Sequence, residues 1–374
     1  MTKITQVRSR AVAVPLETAT SFSRRSVSER HYALVEVTGD DGVKGIGFCY
    51  AGHAGGTLVS KAVHGLLARK LVGEDTHRVE GLWEEMYQEA LLQGRLGAVL
   101  RAISALDIAL WDRNARAAKL PLHKYLGAAV LDKVPAYASG GYYLAGKTPQ
   151  MLGEEVAGYV RQGFGAVKIK VGRERDLGLE RARIDAARAA IGADVLLMLD
   201  ANNAWADLPT ALRYMRVYEE FDPYWIEEPF GPDDIDNHAR LARLTPVPVA
   251  TGEIEGGRWR FKELLDKQAA MILQTDACVC GGISEFRRIA ATAASYGVTL
   301  CPHWFHDVHA PLVAATPNAR FVELFTDDKV LNFRRLITPQ LSFKGGMIEL
   351  SDRPGLGCDF LAEAVERYAV EAWT

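Results

Sequence analysis

The sequence predicts an α/β chain: a (β/α)7β barrel in its C-terminal part, preceded by an α+β segment onto which the C-terminal tail is expected to fold back. Three observations predict this. From Lys133 onward, short apolar runs of strand length alternate with stretches of helical periodicity. Eight such runs and seven such stretches follow one another, which implies a parallel sheet closed into a barrel. The 374 residues exceed one average domain, and the first third has a different rhythm that mixes strands with helices.

In chain order, residues 32–37 and 44–48 are strand-like and flank the turn Gly39-Asp40-Asp41-Gly42, a hairpin signal. From Thr57 to Arg116 apolar residues recur at three and four spacing, as in 102–109, and Trp111 continues the stripe. Pro121 and Gly127 break that run. The barrel strands are expected at 134–139, 166–171, 195–200, 224–228, 247–252, 271–276, 299–303 and 321–325. The helices between them are expected at 149–162, 176–191, 208–219, 233–244, 259–267, 284–295 and 306–315. No eighth helix follows Phe325. The tail from Ile337 carries a strand-like run at 346–350 and the turn Pro354-Gly355-Leu356-Gly357, and is expected to fold back onto the N-terminal part. The expected divisions are therefore a cap over 1–127, a barrel over 133–336 and a returning segment over 337–374.

Composition narrows the function classes. Hydrophobic residues make up 48%, and 44 basic against 47 acidic side chains leave a formal charge of −3. That balance gives no electrostatic reason to expect nucleic acid or an anionic membrane as partner. No apolar stretch reaches the roughly 20 residues that span a bilayer. Arg8, Arg10 and the short run 11–16 do not make a signal peptide. The five cysteines include no C-x-x-C, so neither a disulfide framework nor a zinc ribbon is indicated, and a cytoplasmic location is expected.

Active sites of such barrels lie at the C-terminal strand ends. The second strand reads Val167-Lys168-Ile169-Lys170-Val171, with both lysines on one side. Mutual repulsion and burial are expected to favour the neutral amine, making Lys170 a candidate general base. The bland alternative is a solvated pair on an edge strand, which a strand inside the β/α series does not suit. The next three strands end in Asp200, in Glu227-Glu228 and in Glu253, acids 27 and then 26 residues apart. Singly, each could be a helix cap or a surface charge. Together, on neighbouring strands, they cannot all stay ionised without a cation, and hard oxygen ligands suit Mg²⁺ or Mn²⁺. Alternation alone leaves the choice between Glu227 and Glu228 open. The sixth strand ends in Asp276 and the seventh in His303, and an Asp beside a His can fix the tautomer and raise basicity. The eighth carries Glu323, either an ordinary acid or, if held protonated, a donor to substrate.

These residues, one set per strand in order, resemble those of the enolase superfamily, mandelate racemase subgroup, with its TIM-like barrel and cap. The resemblance covers nearly the whole chain. It implies that Asp200, Glu227 and Glu253 bind Mg²⁺, which selects Glu227 over Glu228. It implies that Lys170 is one acid/base with Lys168 tuning it, that the His303–Asp276 dyad is the other, and that Glu323 hydrogen-bonds a substrate carboxylate oxygen. Asn202 shares the face of Asp200 and is a candidate substrate contact. No role for His306 and His309 is implied.

The implied chemistry is removal of a proton next to a substrate carboxylate, with the metal stabilising the charge that develops. Loss of a β-hydroxyl would then make an acid-sugar dehydratase acting on an aldonate or aldarate. Reprotonation would instead make a racemase or epimerase, and a lactone cycloisomerase uses the same constellation. The expected capping loops, 18–30 and 49–57, contain Arg24, Arg25 and His53, which suit a hydroxylated or doubly acidic substrate. A small-molecule carboxylate is thus the expected partner, and a homo-oligomer the expected assembly. A zinc hydrolase using His303, His306 and His309 is the rival enzyme class, although the first strand ends Ser139-Gly140-Gly141 without a His-x-His. A non-catalytic scaffold is the remaining class, and it would have no need of bases on two faces of a metal.

Overall fold

The structure, a computed structural model, describes residues 1–22 and 25–374. The N-terminal part opens with an antiparallel sheet of β1 (Ile4–Phe22), β2 (Arg25–Gly39) and β3 (Lys44–Tyr50). Tyr32 pairs with Tyr50 and Val37 with Gly45, so the expected hairpin is present. β1 was not foreseen. It pairs with β2 as far as Phe22 and Arg25, so most of the expected loop 18–30 is a continuation of two strands. Thr20 and Val27 face each other there and are both buried, which favours continued pairing over a solvated loop.

Helices α1 (Gly56–Ala62), α2 (Val79–Ala90), α3 (Gly97–Ala117) and α4 (Leu122–Tyr125) follow. α3 is buried on almost every side. It lies so close to β3 that a Cβ on Gly47 would stand 1.9 Å from the Ala105 carbonyl oxygen, and one on Gly45 2.1 Å from that of Ala109. Those two glycines therefore permit the approach of helix to sheet.

The barrel alternates β4 (Lys133–Gly140), α5 (Pro149–Arg161), β5 (Ala166–Lys170), α6 (Leu177–Ile191), β6 (Leu196–Asp200), α7 (Leu208–Tyr218), β7 (Trp225–Glu227) and α8 (Ile235–Leu244). It continues with β8 (Val249–Thr251), α9 (Gly257–Asp266), β9 (Ile272–Leu273), α10 (Ala277–Cys280), α11 (Gly282–Ser295), β10 (Thr299–Leu300), α12 (His306–Ala314) and β11 (Val322–Leu324). β4 to β10 pair in parallel in chain order, β11 pairs in parallel with β4, and the parallel bridge Leu300–Ala319 links β10 to the segment before β11. The floor inside the barrel is packed by Tyr137, Ala166, Met198, Trp225, Ala250, Ile272 and Cys301. Only the short α10 has no counterpart in the expected pattern; Asp276 caps it by accepting from the Cys278 N–H at 2.7 Å.

β12 (Ile337–Thr338), β13 (Phe343–Lys344), β14 (Met347–Glu349), β15 (Asp359–Phe360) and α13 (Ala362–Arg367) form the tail. The strand-like run at 346–350 does not join the cap: β14 pairs antiparallel with β4, Ile348 opposite Val134. The residues after it make the return. Leu356 N–H donates to Asp112, Ala13 N–H to the Tyr368 carbonyl and Ser9 N–H to the Thr374 carbonyl. On the barrel side, α3 is tied to the turn above the sixth barrel strand. Ser104 accepts from the Gly281 N–H at 2.9 Å, and Asp107 accepts from the Ser284 hydroxyl at 2.6 Å. The cap is thus fastened over the C-terminal strand ends.

Candidate active site

Strand register assembles the site. Lys170 stands opposite Asp200, and Asp200 opposite Glu227, so the ends of β5, β6 and β7 form one layer. Glu253 enters that layer two residues beyond β8. Asp200, Glu227 and Glu253 each place an oxygen within 4.8 Å of the others, and among the described residues no other His, Cys, Asp or Glu grouping of three does so. Asp200 and Glu227 are fully buried. Glu228 is also buried, yet it is outside that grouping; its positive φ of 42° turns the chain there.

The chain bends sharply at the other strand ends as well. Asn202, Trp304 and Phe305 have φ of 43°, 50° and 27°. Such conformations cost about 1–3 kcal/mol each for residues other than glycine, and they cluster where side chains must be aimed. Asn202 donates its N–H to Asp200 Oδ1 at 2.9 Å, while its buried side-chain oxygen has no protein partner and faces the cavity.

Lys168 and Lys170 share the inward face of β5, as alternation requires. Lys168 Nζ lies 2.6 Å from Glu227, 2.8 Å from Glu323 and 3.5 Å from Asp200. Lys170 pairs with Asp200. This corrects the expectation that repulsion leaves the amines neutral. Burial does oppose both charges, but Glu227 and Glu323 beside Lys168, and Asp200 beside Lys170, outweigh it and hold both ammoniums above the ordinary lysine range. Glu323 departs from expectation too. Burial would raise its carboxyl, yet Lys168 and His303 hold it down at about 2, and it accepts the Trp304 N–H at 2.8 Å. Without a cation it is an ionised acceptor, not a protonated donor.

His303 Nδ1 is 3.0 Å from Asp276 Oδ2, and its Nε2 is 3.5 Å from Glu253. Burial opposes the imidazolium, but Glu253 and Asp276 prevail and raise His303 to about 9. His309 Nδ1 donates to the Trp304 carbonyl at 2.7 Å, and its Nε2 accepts the Ala277 N–H at 3.0 Å. Both nitrogens are therefore committed to the main chain, and His309 clamps the loop after His303 to the turn that Asp276 caps. His306 is buried against Asp307. The three histidines do not converge, so the geometry does not support a zinc site on them.

A cavity of about 460 Å³ opens above these groups. Lys170, Asn202, Glu253, Asp276, His303 and Glu323 line it from the barrel. His53 lines it from the cap, as expected. Arg24 lies outside the described residues. Arg30, Tyr50 and Arg101 also line the cavity; Arg30 and Tyr50 fall within the expected loops 18–30 and 49–57 but were not singled out there, and Arg101 lies outside both loops. Arg30 sits within β2 and Arg101 in the apolar stripe of α3, and neither position carries a motif.

The carboxylate grouping fits a divalent cation on its own chemistry. Burial and the neighbouring Asp200 charge push Glu227 up to about 8, so the three acids cannot all be ionised alone. A testable consequence follows for the metal-free protein. Glu227 and His303 both have folded-state values above their ordinary 4.5 and 6.5. Their contribution to stability is complete below those ordinary values and is lost as pH rises through about 8 and about 9. Thermal melts in EDTA are expected to show a Tm several degrees lower at pH 9 than at pH 6. Added Mg²⁺ should restore most of it, and a flat profile in EDTA would show that neither group holds its proton.

The family to which the chain belongs is decided by two sequence models. Residues 4–127 match the mandelate racemase/muconate lactonizing enzyme N-terminal domain, and residues 151–364 match the enolase C-terminal domain-like family. The chain belongs to the mandelate racemase subgroup of the enolase superfamily. Among members of this subgroup, the L-talarate/galactarate dehydratase of Salmonella typhimurium is 36% identical over 359 residues, 96% of this chain and 87% of that protein. A D-galactarolactone cycloisomerase of Agrobacterium fabrum is 32% identical over 383 residues, 98% of each chain. A crystal structure of L-talarate dehydratase from Polaromonas sp. JS666, complexed with Mg and L-glucarate, superposes with a TM-score of 0.89 at 33% identity, covering 100% of this chain and 99% of that one.

Proposed function

We propose that this protein is a Mg²⁺-dependent acid-sugar dehydratase that converts an aldonate or aldarate to a 2-keto-3-deoxy acid. One observation carries the reading. Lys170 and the His303–Asp276 pair face one cavity from two sides, with the strands bearing Asp200, Glu227 and Glu253 between them. The similarity to a talarate/galactarate dehydratase supports water loss as the outcome.

Asp200, Glu227 and Glu253 would hold the ion, one per chain, with Mn²⁺ as the plausible substitute by ligand chemistry. When bound, the ion supplies positive charge to the oxygens of the substrate carboxylate and so lowers the barrier to losing the α-proton. A cation held by Asp200 would weaken the attraction that keeps Lys170 an ammonium, and burial would then favour the neutral amine. Lys170 can accept the α-proton in that state. His303 keeps Asp276 on Nδ1, so its Nε2–H is aimed into the cavity as an acid for the β-hydroxyl. The C–H electron pair forms the new C=C bond, the C–O bond breaks, and water leaves with the proton from His303. The enol then tautomerises to the 2-keto acid. For a substrate of opposite configuration at the α-carbon the two residues exchange roles. Lys168 and Glu323 stand beside the carboxylate end and fix its polar surroundings.

The test is a panel of aldonates and aldarates incubated with the protein and Mg²⁺ and assayed for 2-keto products. Turnover of at least one is expected. Silence across the panel would remove the proposal, and α-deuterium exchange with inversion but no water loss would convert it to an epimerase.

A further inference from the structure

We infer that the wall of the cavity formed by Arg30 and Arg101 receives a second carboxylate, so that the substrate is a diacid and not an aldonate. This rests on the acid-sugar reading above. Arg30 is only 3% exposed. Its Nε donates to the Val330 carbonyl at 2.7 Å, and its guanidinium lies over the rings of Tyr50 and Trp304, at 5.2 and 5.4 Å. Arg101 donates from Nη1 to the Tyr50 carbonyl at 2.8 Å. Both line the cavity that holds Lys170 and His303.

Among the described residues, the hydrogen bonds of these two arginines go to main-chain carbonyls, and neither arginine has a carboxylate within ion-pair distance. Arg10, Arg113 and Arg116 are also buried or nearly so, and each meets one, from Glu366, Asp41 and Asp112; Arg183, 5% exposed, resembles Arg30 in bonding to main-chain carbonyls, those of Gly141 and Lys170, but does not line this cavity. A guanidinium has five N–H donors in a planar fork that matches a carboxylate. Arg30 is buried and Arg101 half-buried in the wall of this open cavity, and a buried guanidinium short of an anion is costly unless a ligand supplies one. The Val330 hydrogen bond and the Tyr50 and Trp304 rings confine the Arg30 guanidinium in advance, which suits recognition of an anion.

The charge layout has the same sense. One region of the cavity holds the acids that fit a cation, and with it the site for the reacting carboxylate. Arg30, Arg101 and His53 come from the cap. An aldonate would present a primary alcohol to these arginines; an aldarate presents a carboxylate.

The test uses the Mg²⁺-loaded protein and matched pairs that differ only at the terminal carbon: galactarate with galactonate, and glucarate with gluconate. 6-Phosphogluconate serves as a third kind of terminal anion. For the best pair, kcat/KM for the diacid is expected to exceed that for the monoacid by about a hundredfold or more, the range seen when a buried polar site loses its partner. Arg101→Gln should shrink that ratio to about tenfold or less, chiefly through KM, and Arg101→Lys should recover part of it. An aldonate used as well as its aldarate, a preference for the phosphate ester, or a ratio untouched by Arg101→Gln would overturn the inference while leaving a dehydratase. If no acid sugar is turned over, calorimetric binding to Lys170→Met with Mg²⁺ decides separately: the aldarate must bind more tightly than its aldonate, and equal affinity overturns the diacid assignment.

Discussion

Lys170→Met is expected to lower kcat by about 100- to 10,000-fold, the contribution typical of a positioned general acid or base. Methionine keeps the length and apolar stem of lysine, so the packing against Tyr142 changes little. What changes is charge. Asp200 loses the nearer of its two ammonium partners and keeps Lys168 at 3.5 Å, so the cost falls below the roughly 3–5 kcal/mol of a buried charge left with no partner. Without metal the variant should therefore melt earlier than the parent. With saturating Mg²⁺ the deficit should close, because the cation takes over the compensation of Asp200. Activity must accordingly be compared at saturating Mg²⁺. His303→Asn supplies the complement. With a substrate whose α-proton faces Lys170, the His303 variant should still exchange that proton for solvent deuterium while losing water elimination, and the Lys170 variant should do neither. A Lys170→Met protein retaining a tenth or more of parental turnover would exclude Lys170 from proton transfer.

The placement of these residues was partly legible in the sequence, and the reason is geometric. A barrel strand is a short apolar run, and a charged residue ending such a run stands out against it; Asp200, Glu253, Asp276 and His303 were visible in this way, and Glu227 only together with Glu228. Period-two alternation likewise placed Lys168 and Lys170 on one face, where the structure has them. Protonation was not legible. It depends on which charges meet across strands, and Lys168 reaches Glu227 and Glu323 from chain positions 59 and 155 residues away. A sequence argument saw two lysines repelling each other; the fold surrounds them with acids. The extent of β1 was hidden because its residues are buried irregularly, with Ser9, Arg10, Ala11 and Val12 buried in succession under the returning tail and α1. No period-two pattern survives that. The return itself was legible only as a direction: the expected strand at 346–350 pairs with the first residues of β4, Lys133 to Pro135, ahead of those that pair with β11, and the cap contacts come from residues beyond it.

Glu227→Gln is expected to separate metal binding from folding in opposite directions. The amide keeps the size and the hydrogen bond from Trp225 Nε1, at 3.0 Å, has an oxygen available to receive it. It removes one of three negative charges from the metal grouping. Mg²⁺ affinity should fall by more than about a hundredfold, beyond the loss usual for an outer-sphere partner, and turnover should disappear at millimolar Mg²⁺. Stability should move the other way. In the metal-free parent, burial and Asp200 keep Glu227 protonated up to about 8, and above that pH its forced ionisation works against the fold. Glutamine cannot ionise. The variant should therefore lose the Glu227 share of the Tm decline between pH 6 and pH 8.5 in EDTA, about half of it, with the His303 share remaining, and at pH 8.5 it should melt several degrees above the parent. Lys168 keeps Glu323 as its partner at 2.8 Å, so the substitution does not strand its charge. Calorimetric Mg²⁺ titration and melts in EDTA read the two effects independently. A variant that lost activity and stability together would be a damaged fold and would say nothing about the metal. One that gained stability while losing the ion would show that this carboxylate is held at a cost to folding for the sake of the cation.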